Sequence, residues 1–322
     1  MPATLQTACL RIAHLTDIHL PPLPRFRIRH WNVKRGLGYA NWQRKRQFIH
    51  TSDALRAIIA HLKAQSPDHV IVSGDLINIG LPEEYRAALA WLLELGAPAD
   101  VSVVPGNHDI YTPLWTESGV GRWQAFMTGE PLPQLHRGTQ AFPFVRTLRR
   151  GPSSATLIGL NSARPTPPGV AWGVLGKRQR QDLAHILDWL RNQRQFRLVA
   201  VHHPPLPRLA GWRKGLRDSN QLEAMLSGHG AELVVFGHNH VVSETWIDGP
   251  DGAFPVIGAG SASTAVQRGE EPAASYHLFE IAPSPGEALW RVRWQRFGLA
   301  RGLPGPVEKL LDRTFDVPRR GP

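Results

Sequence analysis

Six short apolar runs, separated by longer amphipathic stretches, constrain this chain more than any other feature. The runs are LRIAHLTD (10–17), HVIVSGD (69–75), VSVVPGN (101–107), ATLIGLN (155–161), RLVAVHH (197–203) and ELVVFGH (232–238). Continuous apolar runs of this length, bounded by turn residues, read as buried strands. Between them, residues 45–65, 82–95, 177–193 and 219–230 carry the helical period. Pro82 suits a first helical turn, with Glu83 and Glu84 behind it, and Ser219 suits an N-cap. Strands spaced by helices predict an α/β sandwich. After Pro250 the runs 254–263, 276–282 and 289–297 follow one another without helices, which predicts a second, more antiparallel layer. From Leu303 the chain is rich in Pro and Gly, with one short helical pattern over 307–315. No internal repeat or long linker divides it. The expectation is one domain over 1–300, with an insertion at 21–46, and a C-terminal tail at 301–322.

Composition narrows the class. At 322 residues and 42% hydrophobic, the chain can bury a sizeable core, which argues against global disorder. Its single cysteine, Cys9, excludes an intrachain disulfide framework and suits a reducing compartment. The stretch MPATLQTACLRIAHL has no basic start followed by an apolar run, so no signal peptide is expected. No uninterrupted apolar stretch is long enough to span a bilayer. The cytoplasm is therefore the expected location. A formal charge of +11 points to an anionic partner: a phosphate ester, nucleic acid or an acidic membrane surface.

Five of the six runs end in residues that bind cations or move protons. The first ends in Asp17 and His19, which would share one face of an extended chain. The second ends in Asp75, and the third in Asn107, His108 and Asp109. The fifth ends in His202 and His203, and the sixth in His238 and His240. Each has a plainer reading, as a strand end, a solvated loop before proline or a hairpin tip. Together, and always after a β-like run, they point to one site at the carboxyl ends of the strands. Carboxylates and imidazoles without thiolates suit Mn, Fe, Zn, Co or Ni. Two carboxylates, an Asn and four His are too many for one ion. They suit a pair about 3.5–4 Å apart, bridged by one carboxylate, that acidifies water for in-line attack on phosphorus.

The set D-x-H, G-D, G-N-H, H, G-H-x-H over residues 10–240 resembles the calcineurin-like metallophosphoesterases. The resemblance implies a four-layer αββα sandwich, two mixed β-sheets flanked by helices. It implies that Asp17, His19 and His240 hold one ion, that Asp75 bridges, and that Asn107, His202 and His238 hold the other. His108 would then be catalytic, facing the leaving group as general acid or charge stabiliser, with Asp109 beside it orienting the turn. His203 is expected to pack behind the ligands. Within the superfamily GDLINIG, VVPGNHDIY, GLNSARP, GVLGKRQRQDL and HHPPLP look most like the class III cyclic-nucleotide phosphodiesterases. Asn78 and Asn161 stand where Asp is commoner, which bears on the substrate rather than the chemistry. His14, His50, His61, His69, His185, His229 and His277 read as structural or surface residues.

Between His19 and Asp53 lie Arg25, Arg27, Arg29, Lys34, Arg35, Arg44, Lys45 and Arg46, interleaved with Trp31, Tyr39 and Trp42 and with no acidic residue. One reading is a solvated basic cap. The other is a lid over an anionic substrate, since the segment leaves the strand end just after Asp17 and His19. Basic and aromatic residues mixed in this way suit a membrane interface, a phosphate-rich ligand or nucleic acid. The insertion is also similar to that of lipid-sugar nucleotide pyrophosphatases. The leading expectation is a dinuclear phosphohydrolase acting on a phosphodiester or pyrophosphate, with two Mn, Fe or Zn ions. The alternatives are a UDP-diacylglucosamine-type pyrophosphatase at the inner membrane surface, a nucleic-acid-binding nuclease module, and a non-catalytic scaffold.

Overall fold

The computed structural model describes residues 9–112, 119–131, 142–191, 193, 195–284 and 288–319. Residues 1–8 of the leader reading and 320–322 of the expected tail lie outside them. The first sheet holds β1 (Leu10–Leu15), β2 (His69–Val72) and β3 (Val101–Val103) in parallel. The second holds β4 (Phe144–Arg150) antiparallel to β5 (Ser153–Gly159), which leads the parallel strands β6 (Phe196–Ala200) and β7 (Leu233–Phe236). Helices α3 (Ser52–Ala64) and α4 (Pro82–Leu95) connect the parallel strands of the first sheet, and α5 (Lys177–Arg191) and α6 (Ser219–His229) those of the second.

The two-residue period of a strand sorts the second sheet's side chains into two cores. Leu157, Leu198, Ala200, Leu233 and Val235 face the first sheet and join its core. Ile158, Val199, Val201, Val234 and Phe236 face the other way, onto Leu183, Ile186, Leu187 and Leu222 of α5 and α6. The result is the expected αββα stack of two six-stranded mixed sheets.

The region after Pro250 departs from expectation. It does not form a layer of its own. Strand β9 (Gly252–Gly258) lies parallel to β7 and antiparallel to β8 (Ser243–Gly249), completing the second sheet. Strands β10 (Ser275–Pro283), β11 (Leu289–Leu299) and β12 (Val307–Pro318) form a meander that enters the first sheet beside β1. The helical pattern read over 307–315 is thus the start of an edge strand. A short pattern carries little helical preference of its own, and pairing along β11 outweighs it.

The helix expected over 45–65 is broken. Helix α1 (Val33–Asn41), a π-helical turn (Trp42–Arg46) and α2 (Gln47–Ile49) come first. His50 is then extended, and Thr51 caps α3 by accepting the Ala54 N–H at 3.3 Å. Backbone bonds Thr51 N–H to Ser263 O (3.0 Å) and Ala265 N–H to Ile49 O (2.8 Å) pin the break to the loop after β9.

Candidate metal centre

All of the nominated residues lie just beyond strand ends on the same edge of the sandwich. The strands stop short of them: β1 ends at Leu15, β2 at Val72, β3 at Val103, β6 at Ala200 and β7 at Phe236. Asp17 and His19 therefore do not share a face by strand alternation. Asp17, His19, Asp75, His238 and His240 all have φ between 42° and 72°, the left-handed region that non-glycine residues avoid. Backbone conformations of this kind persist only where the surrounding structure dictates them, as at functional sites. The neighbouring glycines let these turns interlock. A Cβ on Gly106 would overlap the Asp75 carboxylate, and one on Gly237 would overlap Thr16.

Two groups of donors meet across Asp75. In one, His240 Nε2 lies 3.1 Å from Asp17 Oδ1 and 3.3 Å from His19 Nε2. In the other, His202 Nε2 lies 3.2 Å from both Asn107 Oδ1 and His238 Nδ1. Asp75 Oδ2 is 3.4 Å from His202 Nε2 and 4.0 Å from His19 Nε2, so one carboxylate faces both groups. Carbonyl oxygens behind the rings fix their tautomers. His19 Nδ1–H donates to Ile77 O at 3.2 Å and His202 Nδ1–H to Ser73 O at 2.7 Å, which turns each Nε2 inward.

The electrostatics suit a cation. Burial works against charge on His202, but the Asp75 carboxylate overcomes it and raises the ring to about 9. Burial would also raise Asp75, but His202 and His108 hold it well below the usual carboxylate range. His238 Nε2 is buried without a hydrogen-bond partner, and Asp17 Oδ1 has only the neighbouring His240 ring beside it. Lone pairs left over inside such a donor set fit metal ions. Among the described residues, three clusters have ligand atoms close enough to share an ion: Asp75–His202–His238, His19–His50–His240 and His19–Asp75–His108.

His108 and Asp109 have different surroundings. The His108 N–H donates to Asp75 Oδ1 at 2.7 Å, and its ring stacks on Tyr111 with centroids 5.4 Å apart. Its Nδ1–H bonds the Asn78 carbonyl, so Nε2 accepts from the Arg46 guanidinium at 2.9 Å. Burial and Arg46 push the ring down to about 3. Asp109 is fully buried and accepts the backbone N–H groups of Gly106, Asp75 and Leu76, each at 2.8 Å. Both ring nitrogens of His203 are occupied, by Ser162 Oγ at 2.7 Å and Ala171 O at 3.2 Å. Asn78 is buried beside His108, whereas Asn161 closes a turn by accepting the Ala163 N–H at 2.9 Å.

Sequence reasoning missed several residues here. His50, read as structural, lies with its ring centroid 4.6 Å from that of His19, and its Nδ1 is hydrogen-bonded with Ser263 Oγ at 2.8 Å. Arg213 and Lys214, from the loop after β6, line the same cavity as His108. Chain order gives no hint of either, since both are brought in by distant loops. Of the insertion's basic residues, Lys34 and Arg46 line that cavity. Arg35 instead donates to the carbonyls of Ile79, Gly80 and His30. Arg29 is exposed and lies 3.8 Å from Glu83.

A sequence model of the calcineurin-like phosphoesterase family matches residues 10–242. A probable cyclic nucleotide phosphodiesterase from Synechococcus sp. is 28% identical over 297 residues, 88% of this chain and 92% of the relative. A 3′,5′-cyclic-nucleotide phosphodiesterase from Nostoc sp. is 26% identical over 244 residues, 72% of this chain and 71% of the relative. A crystal structure of a dimetal phosphatase from Danio rerio aligns over 96% of this chain and 99% of its own, with TM-score 0.59 and 13% identity, and so shares the fold.

Proposed function

The chain belongs to the calcineurin-like phosphoesterases and is a dimetal hydrolase of phosphoric esters, and from that premise we propose that its substrate is a phosphodiester or pyrophosphate cleaved at the strand ends. In this reading Asp17, His19 and His240 hold one ion, Asn107, His202 and His238 the other, and Asp75 serves both. When bound, the ions supply the positive charge that acidifies water and neutralises the phosphoryl oxygens. The observation that carries the reading is the single Asp75 carboxylate facing His202 at 3.4 Å and His19 at 4.0 Å.

The chain's own groups hold and orient. Thr16 Oγ–H (2.8 Å) and the His238 N–H (2.9 Å) hold Asp17 Oδ2, which leaves Oδ1 turned to the site. His108, anchored through Nδ1–H to Asn78, presents a bare Nε2 to the cavity; to serve a departing oxygen as general acid it must first take up a proton there, which the negative charge of a bound phosphate favours. Arg46 beside it supplies fixed positive charge for the phosphate. Imidazole and carboxylate donors without thiolate suit manganese, iron or zinc. The names of the relatives support a diester over a monoester. The test is a metal-reconstituted screen over bis-p-nitrophenyl phosphate, p-nitrophenyl phosphate, cyclic nucleotides and UDP-sugars. Preference for the monoester would overturn the diester assignment.

A second reading places the substrate in a lipid surface. It is favoured by the exposure of Ile28 (92%) and Trp31 (62%) among the basic residues of the insertion, and of Phe48 (69%) just after it. No helix of the described residues is long and apolar enough to cross a membrane, so this contact would be peripheral. Sedimentation with anionic and neutral vesicles tests it. Equal binding to both, or to neither, counts against it.

A further inference from the structure

We propose that the cavity beside His108 binds a second anionic group, so that the preferred substrates are phosphodiesters whose organic part carries another phosphate or carboxylate. The inference rests on the hydrolase reading above and names its substrate class more narrowly. The cavity has a volume of about 500 Å³, opens onto Asn107 and His108, and runs beneath α1. That volume suits one small organic group of about nucleotide size.

Four cations line it. Lys34 and Arg46 come from the insertion, and Arg213 and Lys214 from the loop after β6. Among the described residues, no carboxylate lies within ion-pair distance of any of them. Some cations elsewhere are paired, as Arg293 with Asp312 at 2.7 Å, Arg291 with Asp316 at 3.0 Å and Arg313 with Glu244 at 2.6 Å. Unpaired cations gathered around one concave surface attract anions more strongly than the same charges spread over a convex one. One scissile phosphate does not account for four of them beside a dimetal centre.

Lys34 is the most committed. Its Nζ donates to Thr166 Oγ1 at 3.1 Å and lies 4.4 Å from the centroid of the Tyr111 ring, half withdrawn from water. Burial pushes its ammonium down to about 8, and an anion beside it would restore the proton's hold. Leu37, Trp42, Tyr111 and Val170 supply apolar and aromatic wall between the cations, which suits a ring-bearing body linking the two anionic groups.

Isothermal titration of metal-loaded protein with AMP and with adenosine 3′,5′-bisphosphate tests this, since the two share a nucleoside and differ by one phosphate. The bisphosphate is expected to bind at least about tenfold more tightly. In a Lys34→Gln/Arg213→Gln/Lys214→Gln variant with an unchanged melting temperature, that ratio should fall to about one. If the triple variant does not fold, Lys34→Gln alone should reduce the ratio severalfold. A ratio near one in the wild type, or an unchanged ratio in the folded variants, overturns the proposal. Failure of both nucleotides to bind, while bis-p-nitrophenyl phosphate is turned over, overturns it too and leaves the hydrolase reading standing. Absence of turnover on every diester with metal bound overturns the hydrolase reading itself.

Discussion

Asp109 accepts the backbone N–H of Asp75 at 2.8 Å, so the loop after β3 sets the position of the carboxylate that faces both donor groups. Both Asp109 oxygens are used, Oδ2 by Asp75 and Gly106, Oδ1 by Leu76 and Ile77. Asp109→Asn would turn an amide nitrogen toward one of those pairs and strand two buried donors. At about 1–3 kcal/mol each, the expected loss is about 2–6 kcal/mol. Urea denaturation of metal-free protein checks this, and a loss under about 1 kcal/mol would show that the loops hold together without Asp109.

His108→Ala should keep its metal and lose about 10²–10⁴ in turnover on an alkyl diester, the usual scale for a positioned acid. The loss should shrink for p-nitrophenyl leaving groups, which depart without a proton. Parallel kinetics on both substrates, with elemental analysis, decide it. Equal losses would assign His108 another role.

Arg35 is the basic residue of the insertion whose effect should be structural. Its guanidinium ties α1 to the carbonyls of Ile79 and Gly80 in the loop after β2. Arg35→Lys cannot reproduce the fork and should lower stability nearly as far as Arg35→Ala, by about 1–3 kcal/mol. Full rescue by Lys in a thermal melt would mean that charge alone matters there.

The strand ends of the site were legible because Asp75, Asn107, His202 and His238 each follow an apolar run, and the runs leave no doubt about the strands. How Asp17 and His19 converge was not legible. Alternation along an extended chain suggests a shared face, whereas the structure uses left-handed φ at both residues, a conformation that residue type does not announce. Likewise, the break that carries His50 to His19 depends on backbone bonds to residues 263–265, more than two hundred positions away. The strand at Val307–Pro318 forms because β11 is there to pair with it, and local propensity carries no record of that.

Acid should unfold the protein before it protonates His69. His69 is buried, its Nε2 lies 2.8 Å from Ser102 Oγ, and burial lowers the ring to about 3. The unfolded chain takes up a proton near pH 6.5 and the folded chain does not, so stability is full above that pH and falls as pH drops toward 3. At pH 5 this one residue should cost about 2 kcal/mol relative to pH 7.5. Urea midpoints of the wild type and His69→Gln at both pH values check the sign. The variant should lose that part of the slope, and an identical pH dependence would remove His69 from the account.

The most direct test of the central claim is the metal content of wild type and Asp75→Asn after saturation and desalting. If one carboxylate serves two ions, the wild type should retain two transition-metal ions per chain. Asp75→Asn should then lose most of at least one ion, together with its activity. A full complement in Asp75→Asn, or no more than one ion in the saturated wild type, would contradict it.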